Sequence, residues 1–273
     1  MPVVLRCTVR GCGEALQRKG ARWICSRNHS FDQHRSGLLN LLQPQDRKSK
    51  YPGDSREAAE ARRRLADIGH ADAVHRAFAH AIRPRVERAG ALLDVGCGEG
   101  AFLRSLDGLA DLERHGVDIS APSIEIAARA SPQILFVVAN ADRFLPYADQ
   151  SFDLVTSIDA RVNAAEFGRI LKPGGLVLVA VPGPDDLIEL REKVQGAGVQ
   201  KSRASRVEEE FGKSFRLMER TTVRDQRTFE PGTLRDLLTA TYRGFRQSER
   251  AAVESLAAMS VTLSHEVLAF EHR

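Results

Sequence analysis

The chain has 273 residues and a formal net charge of +4, with 42% hydrophobic and 28% charged residues. This composition is typical of a globular protein and excludes disordered and collagen-like classes. No run of about 18 apolar residues occurs, which excludes a membrane-spanning helix; residues 1–16 lack a signal-peptide pattern, so we expect a cytoplasmic protein.

Basic residues are concentrated at the front of the chain. Residues 1–90 contain 18 Lys and Arg against 9 Asp and Glu, whereas the remainder contains 22 against 27. A one-sided basic region indicates either a polyanionic partner or a solvated basic surface. Charge alone leaves both interpretations open.

Residues 1–43 contain the spacing C-x4-C-x12-C-x3-H, formed by Cys7, Cys12, Cys25 and His29. Three thiolates and one imidazole are a standard ligand set for a structural zinc ion. A segment this short has little hydrophobic core of its own and needs such a cross-link for stability. His34 is a rival fourth ligand, and reduced cysteines beside a surface histidine are the alternative interpretation. We expect a hairpin between the Cys7/Cys12 pair and the Cys25/His29 pair.

Residues 44–90 form a bridge. A polar, basic stretch broken by Pro44, Pro52 and Gly53 indicates an exposed linker. A capped helix is predicted after Ser55, ending at Gly69, and a second over 72–86. Three consecutive arginines, 62–64, either contact phosphates or form a solvated helix face.

The most informative stretch is 91–103, where an apolar strand enters a glycine-rich turn that opens a helix. Gly96 and Gly98 allow a tight turn and close approach of a ligand, and Gly100 allows close helix packing. The acidic residues Asp94 and Glu99 argue against a pyrophosphate ligand. They favour a cationic cofactor that carries an amino acid, such as S-adenosylmethionine (SAM).

Strands and helices alternate beyond this turn, which predicts a doubly wound, mostly parallel sheet of the α/β class. Asp118 ends the second strand about 20 residues after the glycines, where an acid can accept hydrogen bonds from both ribose hydroxyls. A helix N-cap is its alternative role, although Ser120 suits that role better. Asn140 and Ala141 follow the third strand, where an adenine contact is expected.

The segments LLDVGCGEGAFL, HGVDIS, SFDLVTSIDA and LKPGGLVLVAVPGP resemble the Rossmann-like class I SAM-dependent methyltransferases. That resemblance implies a seven-stranded sheet ending in an antiparallel pair. With the zinc pattern, NHSFD, GLLNLL, PGDS, Ala61-Arg62-Arg63 and Gly69-His70, nearly the whole chain resembles the zinc-containing guanine-N1 methyltransferases of 23S ribosomal RNA, which include a macrolide-resistance branch.

The resemblance implies three units: a zinc-binding RNA-recognition module (1–43), a basic linker with helices (44–90) and a SAM-dependent methyltransferase domain (91–273). It further implies that the front of the chain grips an RNA hairpin while the rear transfers a methyl group from SAM to guanine N1. A homodimer is a further implication.

N1 of neutral guanine carries a proton that a base or solvent must remove. Asp159 and Asp186 are candidates by position, and exposed loop carboxylates are their alternative interpretation. The family pattern places Ala71, 159–161 and Asp186 near cofactor or substrate, and this sequence departs from the pattern at each. An RNA-binding protein with lost or altered activity, or a small-molecule methyltransferase, are therefore the alternative functions.

Overall fold

A computed structural model describes residues 3–47, 52–86, 90–108, 112–196, 198–241 and 256–273. Its N-terminal part contains a small antiparallel sheet of three strands, β1 (Leu16–Lys19), β2 (Arg22–Cys25) and β3 (Ser30–Asp32). Strands β1 and β2 are the predicted hairpin. A short strand, β4 (Leu39–Asn40), follows them.

The central sheet has eight strands in the order β10-β11-β9-β8-β5-β6-β7-β4. Besides β4, its members are β5 (Ala91–Val95), β6 (Glu113–Asp118), β7 (Leu135–Val138), β8 (Phe152–Ile158), β9 (Leu171–Pro182), β10 (Phe215–Phe229) and β11 (Met259–His272). Strands β4 to β9 pair in parallel, and β11 is antiparallel to both of its neighbours. The predicted seven-stranded arrangement is confirmed, with β4 as an additional edge strand.

The helices are α1 (Arg56–Asp67), α2 (Asp72–Val86), α3 (Ala101–Ser105), α4 (Ala121–Ala130), α5 (Ala164–Ile170), α6 (Ile188–Gln195), α7 (Ala204–Phe211) and α8 (Pro231–Thr241). Both predicted bridge helices are present. Ser55 caps α1 because its side chain accepts a hydrogen bond from the Ala58 amide. Among the described residues, no helix is long and apolar enough to cross a membrane.

Strand β9 contains an irregularity near its start. The segment 172–175, which includes Pro173 and two glycines, lies inside this strand. The register explains this, because Phe152 pairs with Leu171 whereas Leu154 pairs with Leu176. The intervening residues are accommodated as an irregularity of β9 rather than as a separate loop.

The N-terminal module shares a core with the central sheet. Leu39 in β4 pairs with Val137 in β7, and Leu5 forms a bridge with Tyr147. Leu5, Leu39 and Tyr147 are all buried in one hydrophobic cluster with the strands of the sheet. The predicted boundary at residue 43 therefore falls between segments that pack on common apolar contacts, and the division into three units stays a prediction.

The chain order of the sheet reverses at β5. From β5 the chain continues through β6 and β7 on one side, and through β8 and β9 on the other. In open α/β sheets, ligands bind beyond the carboxyl ends of the strands at such a reversal. The predicted site residues lie at this edge.

Candidate active site and zinc centre

A cavity of about 560 Å³ opens at the carboxyl ends of β5, β6 and β8. This volume is within the usual range for small-molecule sites. Nine of the predicted site residues line it, namely Ala71, Asp94, Gly96, Gly98, Glu99, Asp118, Asn140, Ala141 and Asp159. The structure thus brings together residues that are spread over about 90 positions of the chain.

The turn after β5 depends on glycine for two different reasons. Gly96 has a φ of +77°, and a Cβ atom there would collide with the Ala160 side chain. Gly100 has a φ of +78°, and a Cβ atom there would lie about 3 Å from Phe136 and Ala127. Gly96 therefore lets the loop after β8 close on the turn. Gly100 serves helix packing and is not part of the cavity lining.

Asp118 is fixed at the end of β6 by two backbone amides. Its Oδ2 accepts a hydrogen bond from Gly98 N at 3.0 Å, and its Oδ1 accepts one from Ser120 N at 2.8 Å. The Ser120 side chain caps α4, as predicted, so Asp118 is not the N-cap. Burial raises the pKa of Asp118, although these hydrogen bonds oppose the shift.

Asp94 and Glu99 lie beside this turn and are both buried. Asp94 Oδ1 accepts a hydrogen bond from Thr156 Oγ1 at 2.7 Å, and burial raises the pKa of Asp94 to about 7. Burial also raises the pKa of Glu99, against the positive charges of Arg62 and Arg104. Two acids held in one buried wall favour a cationic ligand, whose charge would offset their desolvation.

Asn140 connects the cavity to the segment after the zinc module. Its Nδ2 donates to the Asp46 carbonyl at 2.8 Å, and its Oδ1 accepts from Asp142 N at 3.1 Å. Asn140 also lines a second cavity of about 400 Å³, whose other wall includes the loop from Cys7 to Gly13. The two cavities therefore share one wall.

Asp159 follows β8 and is held by a residue that the sequence analysis did not single out. Its Oδ2 lies 3.0 Å from Nε2 of His265 in β11. Burial opposes charge on the imidazole, but Asp159 raises the pKa of His265 to about 9. Burial would raise the pKa of Asp159, and His265 lowers it below its usual value. At neutral pH the two groups form an ion pair.

Asp186 is placed elsewhere. Its Oδ1 accepts a hydrogen bond from Ser264 N at 2.9 Å, and burial raises its pKa to about 6. It is not among the residues that line the cavity. Asp186 therefore supports β11 next to His265 and interacts electrostatically with Asp159, but it does not line the cavity.

The bridge contributes cavity residues that the sequence analysis did not assign to the cofactor site, namely Asp54, Arg62, His70 and His75. Burial lowers the pKa of His70 and of His75 to about 4, so both imidazoles are neutral at pH 7. The only sequence signal for them is that Asp54, Arg62 and His70 lie in segments of the family resemblance. Charge and periodicity could not show which face of α1 meets the sheet.

The four predicted zinc ligands converge. The ligand atoms of Cys7, Cys12, Cys25 and His29 all lie within 4.8 Å of one another. The Cys12 and Cys25 sulfurs are 3.8 Å apart, and His29 Nδ1 lies 3.4 Å and 3.5 Å from the Cys7 and Cys25 sulfurs. Tetrahedral zinc with ordinary bond lengths requires edges of about 3.5–3.8 Å. The set therefore fits one structural zinc ion, whereas His34 is exposed and contacts Ser36.

Two protein-family models match separate parts of the chain. Residues 93–179 match a methyltransferase-domain model, and residues 5–50 match a zinc-ribbon model described as RlmA, N-terminal. The strand order and the cavity, together with the first match, define a class I SAM-dependent methyltransferase fold.

Three relatives extend the match to most of the chain. The 23S rRNA (guanine(748)-N(1))-methyltransferase of Streptomyces fradiae is 33% identical over 228 residues, covering 81% of this chain and 79% of that protein. Proteins of Micromonospora griseorubida and Bacillus subtilis, provisionally named 23S rRNA (guanine-N1)-methyltransferases, are 30% and 38% identical. Their alignments cover 81% and 63% of this chain, and 79% and 62% of the relatives. The chain belongs to the family of 23S rRNA (guanine-N1)-methyltransferases.

Proposed function

We propose that this protein transfers a methyl group from SAM to N1 of a guanine in a hairpin of 23S rRNA. One observation carries the proposal: the glycine turn, two buried acids and Asp159, which pairs with His265, line one cavity, and the segment that follows the zinc module forms part of its wall. The cytoplasmic location and the homodimer stay predictions.

Different cavity residues contact different parts of the cofactor. Asp118 accepts hydrogen bonds from the ribose hydroxyls, since each of its oxygens retains a lone pair beside the amide bond it already accepts. Asp94 and Glu99 face the positively charged amino acid end. Asn140 and Ala141 border the adenine. When bound, SAM supplies an electrophilic methyl group on a sulfonium.

Asp159 is the proposed acceptor of the guanine N1 proton. The low pKa of Asp159 keeps its carboxylate ionised at neutral pH, so it is ready to accept a hydrogen bond from N1–H. His265 fixes the orientation of that carboxylate. The positive charge of His265 also favours the negative charge that develops on guanine as the proton leaves.

The zinc module supplies cations for the RNA backbone. Arg10, Arg18, Lys19 and Arg35 are exposed and make no ion pair within the part of the chain that the structure describes. Unpaired basic side chains are available to neutralise phosphates, which makes binding sensitive to salt. A small-molecule methyltransferase has no need of such a module.

Primer extension on 23S rRNA incubated with the purified protein and SAM tests the proposal. N1 methylation blocks the pairing edge of guanine, so we expect a new reverse-transcriptase stop that requires SAM. Omission of SAM and an Asp159→Asn variant are the controls. Absence of any stop on free or ribosomal RNA, with SAM shown to bind, would contradict the proposal and favour a protein that binds RNA without methylating it.

A further inference from the structure

We infer that Arg62 binds the carboxylate of the methionine part of SAM, so that a bridge helix outside the central sheet selects cofactors carrying this group. The inference rests on the proposed use of SAM. It concerns a residue that neither the family comparisons nor the glycine turn assigns.

Two hydrogen bonds hold the Arg62 guanidinium in place and leave some of its N–H donors available. Its Nε donates to Asp54 Oδ2 at 2.9 Å, and its Nη2 donates to the Ala240 carbonyl at 2.6 Å. Nη1 makes no hydrogen bond to any residue that the structure describes, and Arg62 lines the cavity. The two anchors fix the plane of the guanidinium, and free N–H donors remain for a ligand.

The neighbouring arginines of α1 differ from Arg62. Arg63 forms an exposed pair with Asp67 on its own helix, and Arg64 forms an ion pair with Asp236 in α8. Neither residue lines the cavity. Of the three arginines that the sequence offered as phosphate contacts, one is therefore directed to the cofactor site.

The cavity is rich in acids, which makes a carboxylate ligand depend on a cation. Its acidic lining residues are Asp54, Asp94, Glu99, Asp118, Asp142 and Asp159. Arg161 pairs with Asp142 at 3.2 Å, and Arg203 interacts with Asp159. Arg62 interacts with Glu99 and with Asp118, which lie on either side of the glycine turn.

A ligand with two positive groups and one carboxylate matches this charge pattern. The buried acids accommodate its ammonium and sulfonium groups, but they would repel its carboxylate. An arginine fork satisfies a carboxylate with parallel N–H donors better than a point charge does. Arg62 and Arg104 both interact with Glu99, but of the two only Arg62 lines the cavity among the residues that the structure describes, so the carboxylate belongs with Arg62.

The decisive experiment compares SAM with decarboxylated SAM, which keeps the adenosine, the sulfonium and the amine. Isothermal titration calorimetry would give the Kd of each ligand for the wild-type protein and for Arg62→Met. We expect the wild type to prefer SAM, and Arg62→Met to lose roughly ten- to a hundredfold of its affinity for SAM while retaining its affinity for decarboxylated SAM. Arg64→Met is the matched control and should behave as the wild type.

Each other outcome overturns the inference in a recognisable way. An equal loss for both ligands would show that Arg62 only holds Asp54 and α8 in place. Unchanged affinity for both, with weaker RNA binding, would make Arg62 a phosphate contact. If Arg62→Met does not fold, the wild type still decides, because no preference for SAM would contradict a carboxylate contact. Failure of the wild type to bind either ligand would overturn the proposed function itself.

Discussion

His265 and Asp159 are in direct contact, with 3.0 Å between Nε2 of the imidazole and Oδ2 of the carboxylate. The pair links β11, near the end of the chain, to the loop after β8. Arg62 and Arg203 also favour the charged form of Asp159, and Asp186 favours the charged form of His265.

The ion pair predicts a pH-dependent contribution to stability. Because the pKa of His265 is raised to about 9, its share is fully present below about pH 6.5 and is lost as pH rises through about 9. The lowered pKa of Asp159 confines the loss on its side to acidic pH. We expect His265→Gln to lower Tm most between about pH 5 and 6.5, and the difference from wild type to shrink as pH rises towards 9. A Tm difference from wild type that stays constant up to pH 10 would contradict this.

Replacement of Asp159 should separate chemistry from cofactor binding. Asp159→Asn keeps the shape of the side chain but removes the charge, so we expect methylation to fall roughly 10²- to 10⁴-fold. The Kd for SAM should change by no more than about threefold, since the cofactor contacts proposed above involve other acids. Asp149→Asn, in an exposed pair with Arg169, is the control for the same chemical change. Equal activity of both variants would remove Asp159 from the mechanism.

The ribose contact predicts a loss of cofactor affinity. Asp118→Ala removes a half-buried carboxylate and the hydrogen bonds it accepts from the Gly98 and Ser120 amides. We expect SAM binding to weaken by about 1–3 kcal/mol, the cost of lost hydrogen bonds to a charged group. Calorimetric titration measures this, with Asp107→Ala at an exposed ion pair as the control. An unchanged Kd would exclude the ribose assignment.

Two histidine variants test the zinc centre. His29→Asn removes a ligand whose Nδ1 lies against two cysteine sulfurs, so we expect metal analysis to show a loss of zinc. His34→Asn should retain one zinc ion per chain, because His34 contacts Ser36 instead. We also expect a lower Tm for His29→Asn alone, since the zinc module shares its core with the sheet. Zinc retained in both variants would refute the ligand set.

Features set by a few neighbouring residues could be predicted from the sequence. The turn from 96 to 100 and the cysteine spacing are local, and the structure places both as expected. Asp159 and Asp186 both follow strands, and only the packing of β11 shows that one faces the cavity while the other bonds to Ser264.

The sequence also could not show that the Arg62 side chain faces the cavity. Three adjacent arginines look alike in a sequence, and the position of α1 against α4 and α8 decides which one turns inward. Strand β4 escaped prediction because two residues carry no periodic pattern of their own. These features depend on contacts between distant segments.

The shared wall at Asn140 connects the zinc module to the proposed cofactor site. Asn140 touches both cavities and bonds to the Asp46 carbonyl, so the surface on which adenine is proposed to rest is continuous with the zinc loop. Thermodynamic linkage is reciprocal. If bound zinc raises the affinity for the cofactor through this wall, bound cofactor raises the affinity for zinc by the same factor. A protein saturated with SAM would then resist a chelator longer than the free protein, and metal supply and methyl-donor supply would act on it as one combined signal.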